Sequence, residues 1–311
     1  MAVTEEAQNK PGLQIFVNRA SRLFNAAAEN IQAELVLSNR NVRFSYWATF
    51  YGDNPDARLE DIQLIEDKSI SEIENKARVA RKLKEKNVTD LFPMTCFSTE
   101  EAIEHKDVCS LWFSKPIHLS GGRGIECIPS GQLADYSLPA HSILQAGVSD
   151  LFLMEGKKFT GRIYLLIWNK RCYVFDDGFV LLHGPQFDAN SDSYDVHVNH
   201  AGYEKADSDI EMRLMSSLSD FHLWKKRIDE QAEKLAPIIE NQLEASSQNR
   251  YLLLGVDLLL QNSGRVQFIE INGIPNFVHT QIVNRQLNIP FFEHSIRLMA
   301  GLPATRLRLL F

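Results

Sequence analysis

The chain has 311 residues, 44% hydrophobic and 23% charged, an ordinary balance for a globular protein long enough for two or three subdomains. The formal net charge is −7 and the isoelectric point about 5.8, which argues against a general nucleic-acid-binding role. No run reaches the roughly 18–20 apolar residues that span a bilayer, the polar stretch Met1 to Gly12 does not read as a secretory leader, and Cys96, Cys109, Cys127 and Cys172 form no CxxC pair, so they read as buried thiols of a cytoplasmic protein.

Residues 1–12 read as a disordered tail. Leu13 to Leu37 carries apolar residues at helical spacing (Ile15, Phe16, Ala20, Leu23, Phe24, Ala27, Ile31, Leu35), which predicts a helix. Val42 to Tyr51 and Ile62 to Glu66 read as strands, with a turn at Asp53 to Arg58 between them. Ser71 to Lys86 reads as a charged helix with Ile73, Ala77, Ala80 and Leu83 on one face. Ser71 and Glu74 have the spacing of a capping box. Thr99 to His105 is a short predicted helix capped by Thr99, with two acids in its first turn. Val108 to Pro116, Ile125 to Ile128 and Ile143 to Val148 read as strands. Phe159 to Ile167 and Arg171 to Phe175 form a predicted hairpin around Asn169-Lys170, and Phe179 to His183 adds another strand. Asp188 to Asp209 is polar and turn-rich. Leu214 to Leu243 is mainly helical with a kink or break at Pro237. Ile282 to Leu302 is helical and broken near Pro290.

The segment between these last two helices carries the chemistry. Leu252 to Leu260 is apolar except for Asp257. Val266 to Ile271 is mostly apolar and leads through Glu270 to Asn272. A lone carboxylate in a buried strand is costly unless something positive meets it. The turn Gln261 to Arg265 contains the Gly expected of a hairpin, so Asp257 and Glu270 should lie side by side. Glu270 and Asn272 have the same parity and share a face. An all-oxygen set of Asp257, Glu270 and Asn272 suits Mg²⁺ shared with nucleotide phosphates.

Two further segments point to phosphate. Ser120-Gly121-Gly122-Arg123-Gly124 lies between strands and lets backbone N–H groups approach an anion, although taken alone it reads better as a plain turn. It has neither Walker A nor Rossmann spacing. Lys115, ahead of Pro116 at a strand end, presents a fixed point charge beside it. Strand alternation places Lys158, Thr160 and Arg162 on one face, with Phe159 and Ile163 on the other.

Together, several segments resemble the tubulin–tyrosine ligase family of ATP-grasp ligases. They are Phe113-Ser114-Lys115-Pro116 with Gly122-Arg123-Gly124-Ile125, Gln145, Gly156 to Tyr164, Leu253 to Asp257, and Ile269 to Asn272. Asn75-Lys76-Ala77-Arg78, Phe92-Pro93 and Thr95 fit the approach to the nucleotide domain. The resemblance covers about residues 70–280.

It implies an α+β ATP-grasp fold, with two nucleotide-clamping subdomains (92–145 and 146–311) after a small N-terminal α/β domain (13–91). It implies that Lys115 and Lys158 contact ATP phosphates, with Lys76, Gly122, Arg123 and Gly124 nearby, and that Gln145 and Val148 lie at the hinge near the adenine. Lys158 and Arg162 would act in catalysis, Arg162 facing the γ-phosphate or the acyl phosphate made from it. Asp257, Glu270 and Asn272 would hold magnesium. His197, with Asn199 or His200, resembles the family's HLTN segment, and which of the two takes the Asn role stays open.

Three positions depart from the family pattern: Thr160 stands for the Asp of its KFDLR segment, Leu181 or Leu182 for an Arg of the next strand, and Gly121 for the first Arg of RGxGI. The expected activity is ATP- and Mg²⁺-dependent joining of a carboxylate (a protein end, side chain or small peptide) to an amino acid or other amine. The alternative is a nucleotide-binding scaffold without transfer. No nucleic-acid or membrane partner is expected.

Overall fold

The computed structural model describes residues 13–18, 21–37, 62–66, 71–199, 202, 203, 205, 208–246, 249–273, 275–277 and 279–311. The predicted tail at 1–12, strand at Val42 to Tyr51 and turn at Asp53 to Arg58 lie outside them, as does His200.

The stretch predicted as one helix over 13–37 is a β–α–β unit: β1 (Leu13–Val17), α1 (Arg22–Asn30) and β2 (Ala33–Leu37), with β1 and β2 parallel. Ser21 starts the helix by accepting from Phe24 N–H at 3.1 Å. Apolar residues at nearly every position satisfy a helical template as readily as a buried strand, so periodicity alone misassigned the ends. β3 (Ile62–Glu66) is where it was predicted and pairs parallel with β1.

The next helix, α2 (Lys76–Glu85), begins later than predicted. A 3₁₀ turn occupies Ser71–Glu74, and the cap is Asn75, whose side chain accepts from Arg78 N–H at 3.0 Å. The predicted inner face of Ile73, Ala77, Ala80 and Leu83 is buried. Similarly, α3 (Thr99–Glu104) is capped by Ser98 rather than Thr99. Ser98 Oγ accepts from Glu101 N–H at 3.2 Å, and Glu101 reaches back to Phe97 N–H at 2.7 Å. In both cases a competing Asn or Ser sat within a few residues of the one chosen, and all of them cap well.

A small antiparallel sheet follows, built from β4 (Thr95–Cys96), β5 (Leu111–Pro116), β6 (Glu126–Pro129) and β7 (Ser142–Ala146) in the order β4-β7-β5-β6. Trp112, Leu144, Cys96 and Leu133 are the centre of its own core.

The large sheet is entered at β8 (Phe159–Trp168) and β9 (Arg171–Leu182). Asn169 and Lys170 have φ of 48° and 60°, the two left-handed residues that a tight hairpin turn needs. β9 is one strand, not the two predicted. Asp176-Asp177-Gly178 reads as a turn, but Asp177 accepts from Gly178 N–H at 2.7 Å and Ser216 N–H at 3.0 Å. Arg162 O packs where a Cβ at Gly178 would be, so the glycine marks a close strand approach.

α4 (Tyr194–His197), β10 (Glu211–Leu214), α5 (Phe221–Glu233) and α6 (Glu240–Ala245) lead to β11 (Arg250–Leu260) and β12 (Val266–Asn272). The predicted break at Pro237 falls between α5 and α6. Near Pro290 the helix is not broken. α7 (Gln281–Val283) runs through a π turn at Asn284–Asn288 into α8 (Ile289–Met299), with Pro290 in its first turn, where a missing N–H is tolerated. The wide turn lets Asn284 donate to His279 O at 2.9 Å while Asn288 meets His279 Nδ1 at 2.9 Å. β13 (Leu307–Leu309) pairs with β9.

The large sheet runs β10-β9-β8-β11-β3-β1-β2, with β12 on β11 and β13 on β9. β3 pairs with β11 at Ile65 and Glu66, so the N-terminal strands extend the sheet that carries Asp257. One face buries Phe159, Ile163, Leu254 and Phe268 beneath α5. The other buries Tyr164, Leu166 and Leu253 beneath α1 and α8. Among the described residues no helix is long and apolar enough to cross a membrane.

Candidate active site

β11 and β12 pair with Asp257 opposite Glu270 and Gly255 opposite Asn272, as the hairpin predicted. Asn272 Nδ2 donates to Asp257 Oδ2 at 3.3 Å. On its other side β11 pairs with β8, setting Asp257 opposite Arg162. Arg162 grips that carboxylate with two bonds, Nε to Oδ1 at 2.6 Å and an Nη to Oδ2 at 2.8 Å. Burial opposes the Arg162 charge, but Asp257 outweighs it and holds the guanidinium above its ordinary value. Gly255 makes room for this: a Cβ there would lie 3.3 Å from Arg162 Cδ and 2.9 Å from Pro275 Cβ.

Glu270 has its own cation. Lys76 Nζ, from the first turn of α2, lies 3.0 Å from Glu270 Oε1. The same ammonium donates to Leu119 O at 2.7 Å, tying the Gly-rich loop to β12. A second tie to that loop comes from Tyr194 on α4, whose hydroxyl donates to Gly122 O at 3.0 Å.

A cavity opens between the small sheet and the large one. Lys115, Gly122, Gln145, Val148, Lys158, His197, Asp257 and Glu270 all line it. Leu111, Phe113, Ile125, Leu151, Phe187, Leu259 and Ile269 supply apolar walls. Arg162, Lys76 and Asn272 join it through the lining carboxylates. Arg123 is exposed and turns back to donate to Ser120 O at 3.2 Å. Asn199 donates to Asp195 at 2.9 Å. Neither these two nor Gly124 lines the cavity.

The two lining lysines are short of negative charge. Lys115 Nζ donates to Gln145 Oε1 at 2.6 Å, and Lys158 Nζ donates to His197 O at 2.8 Å. Burial pushes Lys115 down to about 8, against the pull of Glu270. It pushes Lys158 down to about 7, with Lys115 adding to the fall. Two ammoniums, each with three N–H donors, at one cavity can bind an anion. The His197 ring donates from Nε2 to Ser191 O at 2.7 Å and packs edge-on to Phe113 and Phe187. Burial lowers its pKa, and Lys158 lowers it further.

Thr160 and His183 also line this cavity. Sequence reasoning passed over His183. Its signal was parity: Thr160 pairs with Leu181, so His183, two residues on, belongs to the same face.

A family model described as the tubulin-tyrosine ligase family matches residues 65–307. The chain belongs to the tubulin-tyrosine ligase family. Among curated relatives, it is 25% identical over 216 residues to a probable tubulin polyglutamylase, ttll-9, of Caenorhabditis elegans, covering 60% of this chain and 51% of that protein. It is 22% identical over 204 residues to tubulin glycylase 3D of Tetrahymena thermophila, covering 57% of this chain and 20% of the relative. Tubulin glycylase 3B of the same organism is 22% identical over 201 residues, covering 57% of this chain and 17% of its own length. The chain thus spans between about a sixth and about half of these family members. Of the two candidates for the family's Arg position, Leu181 packs with the Tyr164 cluster and Leu182 with the Phe159 cluster. Neither offers a cation to the cavity.

Proposed function

We propose that this family member is an ATP- and Mg²⁺-dependent carboxylate–amine ligase that works through an acyl phosphate. The observation that carries the reading is the pairing, across one cavity, of Lys115 and Lys158 with the carboxylates Asp257 and Glu270. The apolar walls suit a flat heterocycle, with Gln145 and Val148 at its edge. Lys115 and Lys158 hold the phosphates. Arg162 stabilises charge on the transferring γ-phosphoryl group as it passes to the substrate carboxylate. The amine then attacks the acyl carbon to form the amide.

The donor set fits magnesium. It is all oxygen, it mixes two carboxylates with an amide, and both carboxylates face the cavity. Asp257, Glu270 and Asn272 would hold the ion, which would neutralise phosphate charge when bound. Arg162 and Lys76 balance those two carboxylates internally.

The names of the relatives make a tubulin tail a natural carboxylate and glycine or glutamate a natural amine. Tyrosine is disfavoured because these relatives are named for glycine and glutamate. The absence of a guanidinium at Leu181 or Leu182 costs the α-carboxylate of any amino-acid co-substrate a bidentate partner alike. Purified protein with ATP, Mg²⁺ and tyrosine is expected not to restore the terminal tyrosine of detyrosinated α-tubulin; a robust rate would refute this. The general test is ADP release from ATP that rises when carboxylates and amines are supplied together.

A second reading, a nucleotide-binding scaffold, draws on the same ion pairs. A protein whose Asp257 and Glu270 stay bound to Arg162 and Lys76 would hold ATP without transferring phosphate. ATP binding with no ADP release under any pool of carboxylates and amines would favour it.

Two binding results follow from the lysines. Lys115→Ala is expected to weaken a non-hydrolysable ATP analogue by about 1.5–3 kcal/mol, the usual worth of a charge-assisted contact. Unchanged affinity in a calorimetric titration would return Lys115 to a structural role. Nucleotide binding should also take up protons. With Lys158 lowered to about 7 and Lys115 to about 8, both are partly neutral at pH 8, and phosphate favours their charged forms. Roughly one proton or more should enter per nucleotide at pH 8, falling towards zero as the pH drops below 7 and both lysines are already charged. Titrations in buffers of different ionisation enthalpy measure this directly, and heats independent of buffer would contradict it.

A further inference from the structure

Thr160 and His183 meet at the cavity wall, and the reading above leaves both unused. His183 is 1% exposed. Its backbone N–H donates to Lys158 O at 2.9 Å, which fixes it against β8. Its ring bridges two partners. Nδ1 lies 3.2 Å from Val196 O, and Nε2 lies 3.4 Å from Thr160 Oγ1. A carbonyl oxygen can only accept, so the Nδ1 must carry a proton. A neutral imidazole protonated on Nδ1 has its lone pair on Nε2. The Thr160 hydroxyl then donates to that lone pair, and Thr160 itself lines the cavity. The result is a hydroxyl, an imidazole and an orienting carbonyl in series, the arrangement that aims a base at a reacting group.

Amide formation needs such a base. At neutral pH an amino group is an ammonium and has no lone pair with which to attack. In the reading above, Lys115 and Lys158 serve the phosphates, and Asp257 and Glu270 serve the cations. We propose that Thr160 and His183 form a proton relay that deprotonates the amine co-substrate, a role that rests on the ligase reading.

The ammonium donates a hydrogen bond to Thr160 Oγ1. Its proton passes to that oxygen while the hydroxyl proton passes to His183 Nε2, leaving an imidazolium with both ring nitrogens protonated. The freed lone pair forms the C–N bond at the acyl carbon. The C–O bond to phosphate breaks, and phosphate leaves with the electron pair. A second amine proton departs with it as hydrogen phosphate, and His183 later returns its proton to solvent. No oxidant, reductant or further co-reactant is needed.

Two measurements test the relay. The first is the tautomer, read by long-range proton–nitrogen correlation on labelled protein, with His183 assigned by its loss in His183→Gln. Protonated Nδ1 with bare Nε2 is expected at pH 8; protonated Nε2 with bare Nδ1 overturns the relay whatever the reaction. The second uses an acidic tubulin-tail peptide as carboxylate and compares glycine with hydroxylamine, which is largely uncharged at pH 7 and needs no base. His183→Gln and Thr160→Val should lower amide formation with glycine by about 10²- to 10⁴-fold, as loss of general base catalysis does. Hydroxamate formation should fall far less, and Thr160→Ser should recover much of what Thr160→Val loses. Equal loss of both products overturns the relay and leaves the ligase reading standing. Wild-type protein that makes neither product overturns the ligase reading, and the relay with it.

Discussion

Glu270→Gln is expected to remove ATP-dependent turnover while the protein stays folded. The substitution keeps the shape of the side chain and deletes one negative charge, 3.0 Å from Lys76. If Glu270 holds magnesium against the triphosphate, the lost charge stabilisation is several kcal/mol, so the rate should fall by roughly 10³-fold or more. The structural cost is smaller. The Lys76–Glu270 pair is about as buried as Arg162–Asp257, with side-chain exposures of 11% and 22%, but Gln can still accept from the ammonium. A loss of about 1–3 kcal/mol in unfolding free energy is expected. Steady-state ADP release and a denaturant melt on the same sample separate the two effects. Wild-type turnover in the variant would remove Glu270 from the metal site.

The site was legible where two strands dictate it. Asp257 beside Glu270 follows from one glycine-containing turn and the length of two apolar runs, and the register of β11 and β12 realises that pairing. The face shared by Lys158, Thr160 and Arg162 follows from alternation, with Phe159 and Ile163 in the opposite core as expected. Contacts between distant segments were not legible. Nothing local says that Lys76 reaches Glu270, or that Arg162 reaches across β11 to Asp257. The first depends on where α2 lies beside β12, and the second on strand order, which places β8 next to β11. His183 was overlooked because its partner, Val196 O, belongs to the one-turn helix α4, which nothing in the polar stretch Asp188 to Asp209 signals.

The N-terminal stretch failed for a different reason. Ile15 and Val17 are buried on one strand of a parallel pair and covered by α1 and α8. β1 spans five residues, and its other face mixes exposed Gln14 with half-buried Phe16, so the alternation is too short to outweigh the helical match. The helix α1 was correctly sensed, but its neighbours were absorbed into it. The cap of α3 erred by one position, within the usual fraying of helix ends, and that of α2 by four, because the 3₁₀ turn at Ser71–Glu74 precedes the helix.

Arg162→Ala should separate the two roles of the Arg162–Asp257 pair. The pair is largely buried, with side-chain exposures of 18% and 12%. Removing the guanidinium leaves Asp257 with Asn272 Nδ2 at 3.3 Å and without its counter-ion. Deleting one partner of a buried pair typically costs about 3–5 kcal/mol, so the variant should melt well below the wild type. If Arg162 faces the γ-phosphoryl group as proposed, turnover should fall as well, because that charge is gone. The direction of the magnesium effect is what discriminates. In the wild type, a cation at Asp257 must displace Arg162 from both carboxylate oxygens. In the variant that competitor is absent, and the unpaired carboxylate gains more from a bound cation. Mg²⁺ with a non-hydrolysable ATP analogue should therefore raise the melting temperature of Arg162→Ala by more than it raises that of the wild type. An equal or smaller rise would mean that Asp257 serves as the structural counter-ion of Arg162 and does not hold the metal.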